Sequence, residues 1–354
     1  MTLPTEPIGS IPRPKELVDA IQAHENGRLD RQDLHEIYDK AVRETIEAFE
    51  ATGSPVITDG EQTKPSFATY PIHGLDNLEP GGIKIAFKDG HERQLPRLIE
   101  GPFQYKNYAD AYLEEALQYA TRPIKQAVIS ASALSLIYPE EGIDGYPREK
   151  FLEDLVDEAE KEIRLCFEKG AYNVQIDFTE GRLAVKLDPT LELLKSFIHL
   201  NNRVLNRFSE AERKYIGIHT CPGGDQDSTH SADVDYVDLI PLLFSLNAGN
   251  FYMQFASESD KERVLQSINK YMGPEQMIFL GVIDVTDPRV EKPEEVRDLI
   301  LKAAEYIPIA QLGTTDDCGF SPFSDDLSTS RKAAFEMIRA RLEGTRMASE
   351  ELNV

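Results

Sequence analysis

Short apolar runs alternate with helical patterns along the whole chain, and that alternation limits the fold more than any single motif. The runs are Pro7–Ile11, Pro55–Glu61, Lys125–Ser130, Tyr172–Asp177, Tyr215–His219, Asn250–Phe255, Met277–Ile283 and Ile307–Leu312. Around and between them the periodicity predicts helices over Lys15–Ala23, Arg31–Ala51, Ala109–Ala120, Arg148–Lys169, Pro189–Phe208, Tyr236–Leu246, Asp260–Met272, Pro293–Tyr306 and Ser324–Leu342. Gly170 stands where a helix commonly ends on a left-handed residue. Strands that alternate with helices lie parallel and are joined by right-handed crossovers. Eight such units in 354 residues predict an α/β fold, a closed (β/α)8 TIM barrel forming a single domain over residues 1–354. A rim insertion is expected around 62–108, rich in Pro and Gly, with weak strand pairs at Ile83–Phe87 and Gln94–Ile99. An open doubly wound sheet is the alternative, but no Gly-rich phosphate loop follows the first run.

Composition bears on partners and compartment. A formal net charge of −24 argues against nucleic acid and anionic membrane surfaces. No apolar run approaches the roughly 20 residues needed to span a bilayer, and the N-terminus lacks the basic and apolar regions of a signal peptide. Three cysteines do not make a disulfide framework. The expectation is a cytoplasmic protein with thiols free for metal, acting on small molecules, with room for a homo-oligomer.

In a barrel the chemistry gathers at the C-terminal ends of the strands. Those ends supply Ser10, Asp59, Glu61, Ser130, Asp177, His219, Cys221, Gln254, Asp284 and Cys318. His219 and Cys221 are two apart on a strand end and therefore face the same way. Imidazole and thiolate both suit zinc, and Cys318 follows another apolar run. His219, Cys221 and Cys318 are thus the candidate zinc ligands, whereas Cys166 sits on the core stripe of a helix and reads as a small hydrophobe. His230 and Asp233 follow the same strand, with Ser231 or Asp233 expected to cap the next helix.

Five landmarks occur in order: Ile8-Gly9-Ser10 with Arg13-Pro14, Asp59-Gly60-Glu61, Val174-Gln175-Ile176-Asp177, His219-Thr220-Cys221 and Asp317-Cys318-Gly319. With them the chain resembles the C-terminal catalytic barrel of cobalamin-independent methionine synthase over nearly its full length. The resemblance implies Zn2+ on His219, Cys221 and Cys318, and an amino-acid thiol whose ammonium group meets Glu61 and Asp177 with its carboxylate near Ser10. It also implies methyl transfer to homocysteine from a folate or corrinoid donor. Three positions depart from the family. Gln254 stands where a glutamate ligates zinc, with Glu258 as the other candidate for the fourth ligand. Thr286 replaces a histidine proton donor, which leaves Asp287 as the candidate acid. The chain has no Trp to stack a pterin, and Tyr138 is the candidate platform. Zinc-dependent opening of an epoxide by a thiol such as coenzyme M is one alternative, a degenerate non-catalytic paralogue another. A metal-free decarboxylase of the uroporphyrinogen type is a third, but it would not need all three ligands.

Overall fold

A computed structural model describes residues 2–354. Six parallel strands form one sheet in sequence order: β1 (Lys125–Ile129), β2 (Asn173–Asp177), β3 (Ile216–Thr220), β4 (Asn250–Met253), β5 (Met277–Gly281) and β6 (Leu312–Thr315). Apart from Met277 at the start of β5, every residue of these strands is buried, as expected where helices cover a sheet that packs on both faces. Register puts Asp177 opposite His219, and His219 opposite Tyr252.

The sheet closes through the two N-terminal runs. Ile57 bridges Ile124 in parallel, and Thr5 bridges Thr314. These runs meet each other where the Thr58 hydroxyl donates to the Gly9 carbonyl at 2.8 Å and the Ile11 amide donates to Gly60 at 3.0 Å. Eight strand positions therefore surround one axis, as the alternation predicts. The first two make bridges rather than ladders because Pro4, Pro7 and Pro55 carry no N–H to donate.

The helices Arg31–Glu50 and Arg148–Lys169 lie where the periodicity places them, and Gly170 takes the left-handed conformation with φ 98°. Elsewhere boundaries move. The apolar run at Ile307 is not the last strand: Pro308 leads into a 3-10 turn at Ile309–Gln311, and the strand is Leu312–Thr315, with Thr314 and Thr315 fully buried. The final helix starts at Arg331, capped by Ser330, whose hydroxyl accepts from the Ala333 amide, and it runs to Glu351. It passes through Gly344 because that position packs against Val296. A short helix at Glu180–Leu187, not expected from the sequence, follows β2. The helix after β3 starts at Tyr236 and is capped by Asp235, not by Ser231 or Asp233.

The rim insertion forms antiparallel pairs, Lys84–Ala86 with Glu92–Gln94 and Leu78–Glu79 with Arg97–Leu98. Its first hairpin straps across the barrel mouth. Arg93 pairs with Asp225 at 2.6 Å and with Asp325 at 2.8 Å while lying over the Phe323 ring. His91 also reaches Asp225, at 3.0 Å. Among the described residues no helix is long and apolar enough to cross a membrane.

Candidate metal and thiol site

His219 is the fourth residue of β3, and Cys221 follows the strand directly. Cys318 comes three residues after β6. The ligand atoms of these three side chains lie within 4.8 Å of one another, and the two sulfurs are 3.2 Å apart. Among the described residues this is the only group of three or more His, Cys, Asp or Glu side chains placed to share an ion.

The donor set suits a thiophilic divalent ion. His219 Nδ1 is fixed by the Tyr252 carbonyl at 3.2 Å, while its buried Nε2 has no hydrogen-bond partner. A carbonyl-anchored imidazole with a free second nitrogen is the usual arrangement of a histidine ligand. The neighbouring Cys221 sulfur and burial push the Cys318 thiol well above the usual range. Without a cation the pair resists ionising; coordination reverses that, since a ligating thiol is deprotonated outright. Sulfurs each about 2.3 Å from a tetrahedral ion stand roughly 3.8 Å apart, so the pair opens only slightly to take one.

The remaining strand ends meet the same place. Ser10, Glu61, Asp177, His219 and Cys318 line one small cavity at the barrel mouth. Glu61 sits at φ 54°, a left-handed conformation rarely adopted by a residue with a side chain, and such strain concentrates at functional sites. Burial raises the pKa of Glu61 above the ordinary carboxyl value, with Lys64 opposing. Burial likewise raises Asp177, with His219 opposing. Ser10 Oγ accepts from the Ser321 amide at 3.1 Å.

Of the other expected members, Gln254 and Glu258 share a cleft with Cys318 but are engaged by neighbouring side chains, while Tyr138 and Asp287 lie outside the ligand cavity. Gln254 does follow β4 at the rim, but its oxygen accepts from Arg182 Nη1 at 3.0 Å and its nitrogen donates to Ser257 at 2.5 Å. Glu258 pairs with the same Arg182 nitrogen at 2.6 Å. Tyr138 is no open platform. Its ring stacks on Phe151 at 5.1 Å, and its hydroxyl donates to the Tyr146 carbonyl at 2.7 Å. Asp287 lines an outer cleft with Arg289 and Glu295, away from the ligand cavity. Thr286 lies nearer, on a cleft shared with Cys318 and Asp317, but its hydroxyl donates to Asp284 at 2.7 Å.

Three residues at the site escape the sequence reading. Lys64, buried in the rim insertion, donates to Glu61 at 3.0 Å and to the Ala127 carbonyl at 2.9 Å. Asp317 accepts from the amides of Phe255, Ala256 and Ser257, each at 2.8 Å, and so shapes the loop after β4 from beside Cys318. Arg182 lies on the unexpected short helix. The one available signal is the burial implied for the Leu183-Ala184-Val185 run, which places the neighbouring Arg against the barrel.

An apolar pocket of about 430 Å³ opens beside the cavity, between the hairpin strap, the helix Lys15–Glu25 and the barrel rim. It shares Phe67, Thr179, Gly223 and Gly224 with the cavity.

The profile described as "Cobalamin-independent synthase, Catalytic domain" matches residues 146–339. A methionine synthase of Saccharolobus solfataricus is 25% identical over 352 residues, 99% of this chain and 96% of that protein. One from Sulfurisphaera tokodaii is 24% identical over 99% of this chain and 94% of its own length. A B12-independent methionine synthase from Shewanella sp. W3-18-1, solved with selenomethionine, superposes with a TM-score of 0.78 at 20% identity, covering 100% of this chain and 99% of that one. That likeness establishes the barrel fold.

Proposed function

Because the chain belongs to the cobalamin-independent synthase catalytic-domain family, we propose that it is a methyltransferase that methylates the thiol of homocysteine at a zinc centre. One observation carries the reading: His219 and Cys318 open onto the same cavity as Glu61 and Asp177. Ligands for a thiophilic ion and anchors for an ammonium group thus lie within one amino acid's reach.

His219, Cys221 and Cys318 would hold the ion, which when bound would keep an arriving thiol as thiolate at neutral pH. Asp177 offers a carboxylate oxygen to the substrate ammonium while Gln175 holds the other at 2.8 Å. Glu61 shares the ammonium but stays tied to Lys64, which fixes its orientation. A charge-assisted pair in a buried site selects an amino-acid thiol over a simple one. The apolar pocket beside the cavity gives a methyl donor room next to the thiol. The whole chain serves as one catalytic barrel, since residues at both ends of the sequence close the same ring of strands.

The donor is a methylated folate or a corrinoid. Thr286 is spent on Asp284 and Asp287 lines the outer cleft, so neither of these two positions supplies an acid for a departing amine at the ligand cavity. That favours a donor whose leaving group needs no proton. Metal analysis of the purified protein is expected to give one zinc per chain, lost in Cys221→Ser. Labelled methyl-folate and methylcobalamin, each supplied with homocysteine, separate the donors. A metal-free protein that methylates no thiol from either source would end this reading.

A further inference from the structure

Metal sites that only support a fold are closed by four protein ligands, whereas catalytic sites keep one position for substrate. This chain has three candidate ligands, and Gln254, which stands where the family resemblance implies a fourth and lines a cleft with Cys318, is held by other side chains. Gln254 Oε1 accepts from Arg182 Nη1 at 3.0 Å, and its amide nitrogen donates to Ser257 at 2.5 Å. Both ends of the side chain are thereby committed.

Arg182 is itself fixed from several sides. It is fully buried, its Nη1 also donates to Glu258 at 2.6 Å, its Nη2 donates to the Val234 carbonyl, and its guanidinium lies 4.9 Å from the Tyr236 ring centre. Ser257 is fixed in turn by Asp317, which accepts from its hydroxyl at 2.7 Å and from its amide at 2.8 Å. The clasp thus runs from Glu258 through Arg182, Gln254 and Ser257 to Asp317, the residue before Cys318. A permanent cation also competes well for the amide oxygen, a neutral and weak ligand.

The geometry points to Arg182 as a positioning residue that withholds Gln254 from the ion and so keeps one coordination position for the substrate sulfur. This rests on the zinc and homocysteine reading above. With zinc bound, the centre would have two cysteine sulfurs and one imidazole, with the fourth position left to solvent. The arriving thiol would give up its proton to solvent and its sulfur would take that position in place of water, so no protein ligand would be displaced.

The test uses the full chain loaded with Co2+, whose absorption reports the number of bound sulfurs, titrated with L-homocysteine. In the wild type, sulfur-to-metal charge-transfer absorption is expected to rise as homocysteine binds. Gln254→Ala alone should leave metal affinity and the resting spectrum unchanged. Arg182→Met releases the amide to compete with the thiol, weakening homocysteine binding by about tenfold or more. The double variant Arg182→Met/Gln254→Ala should regain binding to within about threefold of the wild type, a rescue that a purely structural role for Arg182 would not show. The inference is overturned if Gln254→Ala alone loses the metal or alters the resting spectrum, which would make Gln254 a ligand. It is overturned equally if the double variant binds as poorly as Arg182→Met. A cobalt spectrum indifferent to homocysteine in the wild type would instead remove the underlying thiol reading, and this inference with it.

Discussion

Asp177 shows how much a single carboxylate can do when its surroundings are dry. It is buried at the end of β2, beside the imidazole of His219, with one oxygen already committed to Gln175. A hydrogen bond to a charged partner is worth about 1.5–3 kcal/mol, so Asp177→Asn should raise KM for homocysteine by roughly ten- to a hundredfold. The thiol 4-mercaptobutyrate, which lacks the ammonium group, should be bound equally by both proteins in initial-rate measurements. Equal losses for the two thiols would show that Asp177 only maintains the pocket. Glu61 is a poorer place for this test, because Glu61→Gln would strand the buried Lys64 charge. Breaking a buried pair from one side costs about 3–5 kcal/mol. Lys125 poses a different case. It is fully buried, lies 3.6 Å from Glu6 and 3.7 Å over the Tyr252 ring, and burial lowers its pKa to about 8. Its charged form is disfavoured in the fold, so in urea unfolding Lys125→Met, which carries no charge, should be less costly relative to the wild type at pH 7 than at pH 10.

At the scale of elements, legibility follows burial. The strands β1 to β3 were readable because their residues are apolar or buried throughout and Gly170 marks the preceding helix end. The last strand was not, since Leu312-Gly313-Thr314-Thr315 is small and polar while the run before it is apolar but broken by Pro308. That His219 and Cys221 face one way was readable because His-x-Cys needs only the period of a strand, and the fold brings Cys318 to them. The clasp on Gln254 was not, since it joins Arg182 and Gln254 across 72 positions and depends on a short helix with no sequence period of its own. Tyr138 was misplaced for a related reason: an aromatic beside a strand end reads as a platform until the core partner, Phe151, is known. Two predictions belong here. In the final helix a methyl group at Gly344 would lie 2.5 Å from the Val296 Cβ and 2.8 Å from the Pro293 carbonyl. Gly344→Ala should therefore destabilise by about 1–3 kcal/mol in urea unfolding, overriding the roughly 1 kcal/mol that Ala gains over Gly in a helix. In the strap, Arg93→Ala removes the tie to Asp225 and Asp325. Amide exchange over residues 84–94 should accelerate while β1 to β6 stay protected.

For the whole molecule, charge sets the dependence on pH. The chain carries a formal net charge of −24, and burial pushes both Glu162 and Glu180 up to about 7. Glu162 accepts from the Tyr70 hydroxyl at 2.7 Å and the Ala109 amide at 3.0 Å; Glu180 accepts from Ser130 and Ser132. These bonds oppose the shift without cancelling it. A carboxyl whose folded pKa is raised contributes stability that is complete below its ordinary value of about 4.3 and is lost as pH rises through its folded value. Self-repulsion grows in the same direction. Thermal unfolding should therefore give a higher Tm at pH 5.5 than at pH 8, worth on the order of a few kcal/mol, with the gap narrowed by Glu162→Gln. Added salt should raise Tm at pH 8 by screening the repulsion, and a flat profile in both pH and salt would contradict this account.

The seam between residues 3–6 and β6 has a temporal consequence. The Leu3 amide donates to Ser349 at 3.0 Å, and Glu6 and Thr314 bond across the Thr5 bridge, so the partners are separated by more than 300 positions. Contacts that distant in sequence form late, after local ones have paid down the entropy of bringing them together. His219 and Cys221 sit in the consecutive part of the sheet, but Cys318 arrives with the seam. If the trio holds zinc as proposed, metal should bind weakly during synthesis or refolding until the last β-strand docks, and tight uptake would then clock completion of the ring.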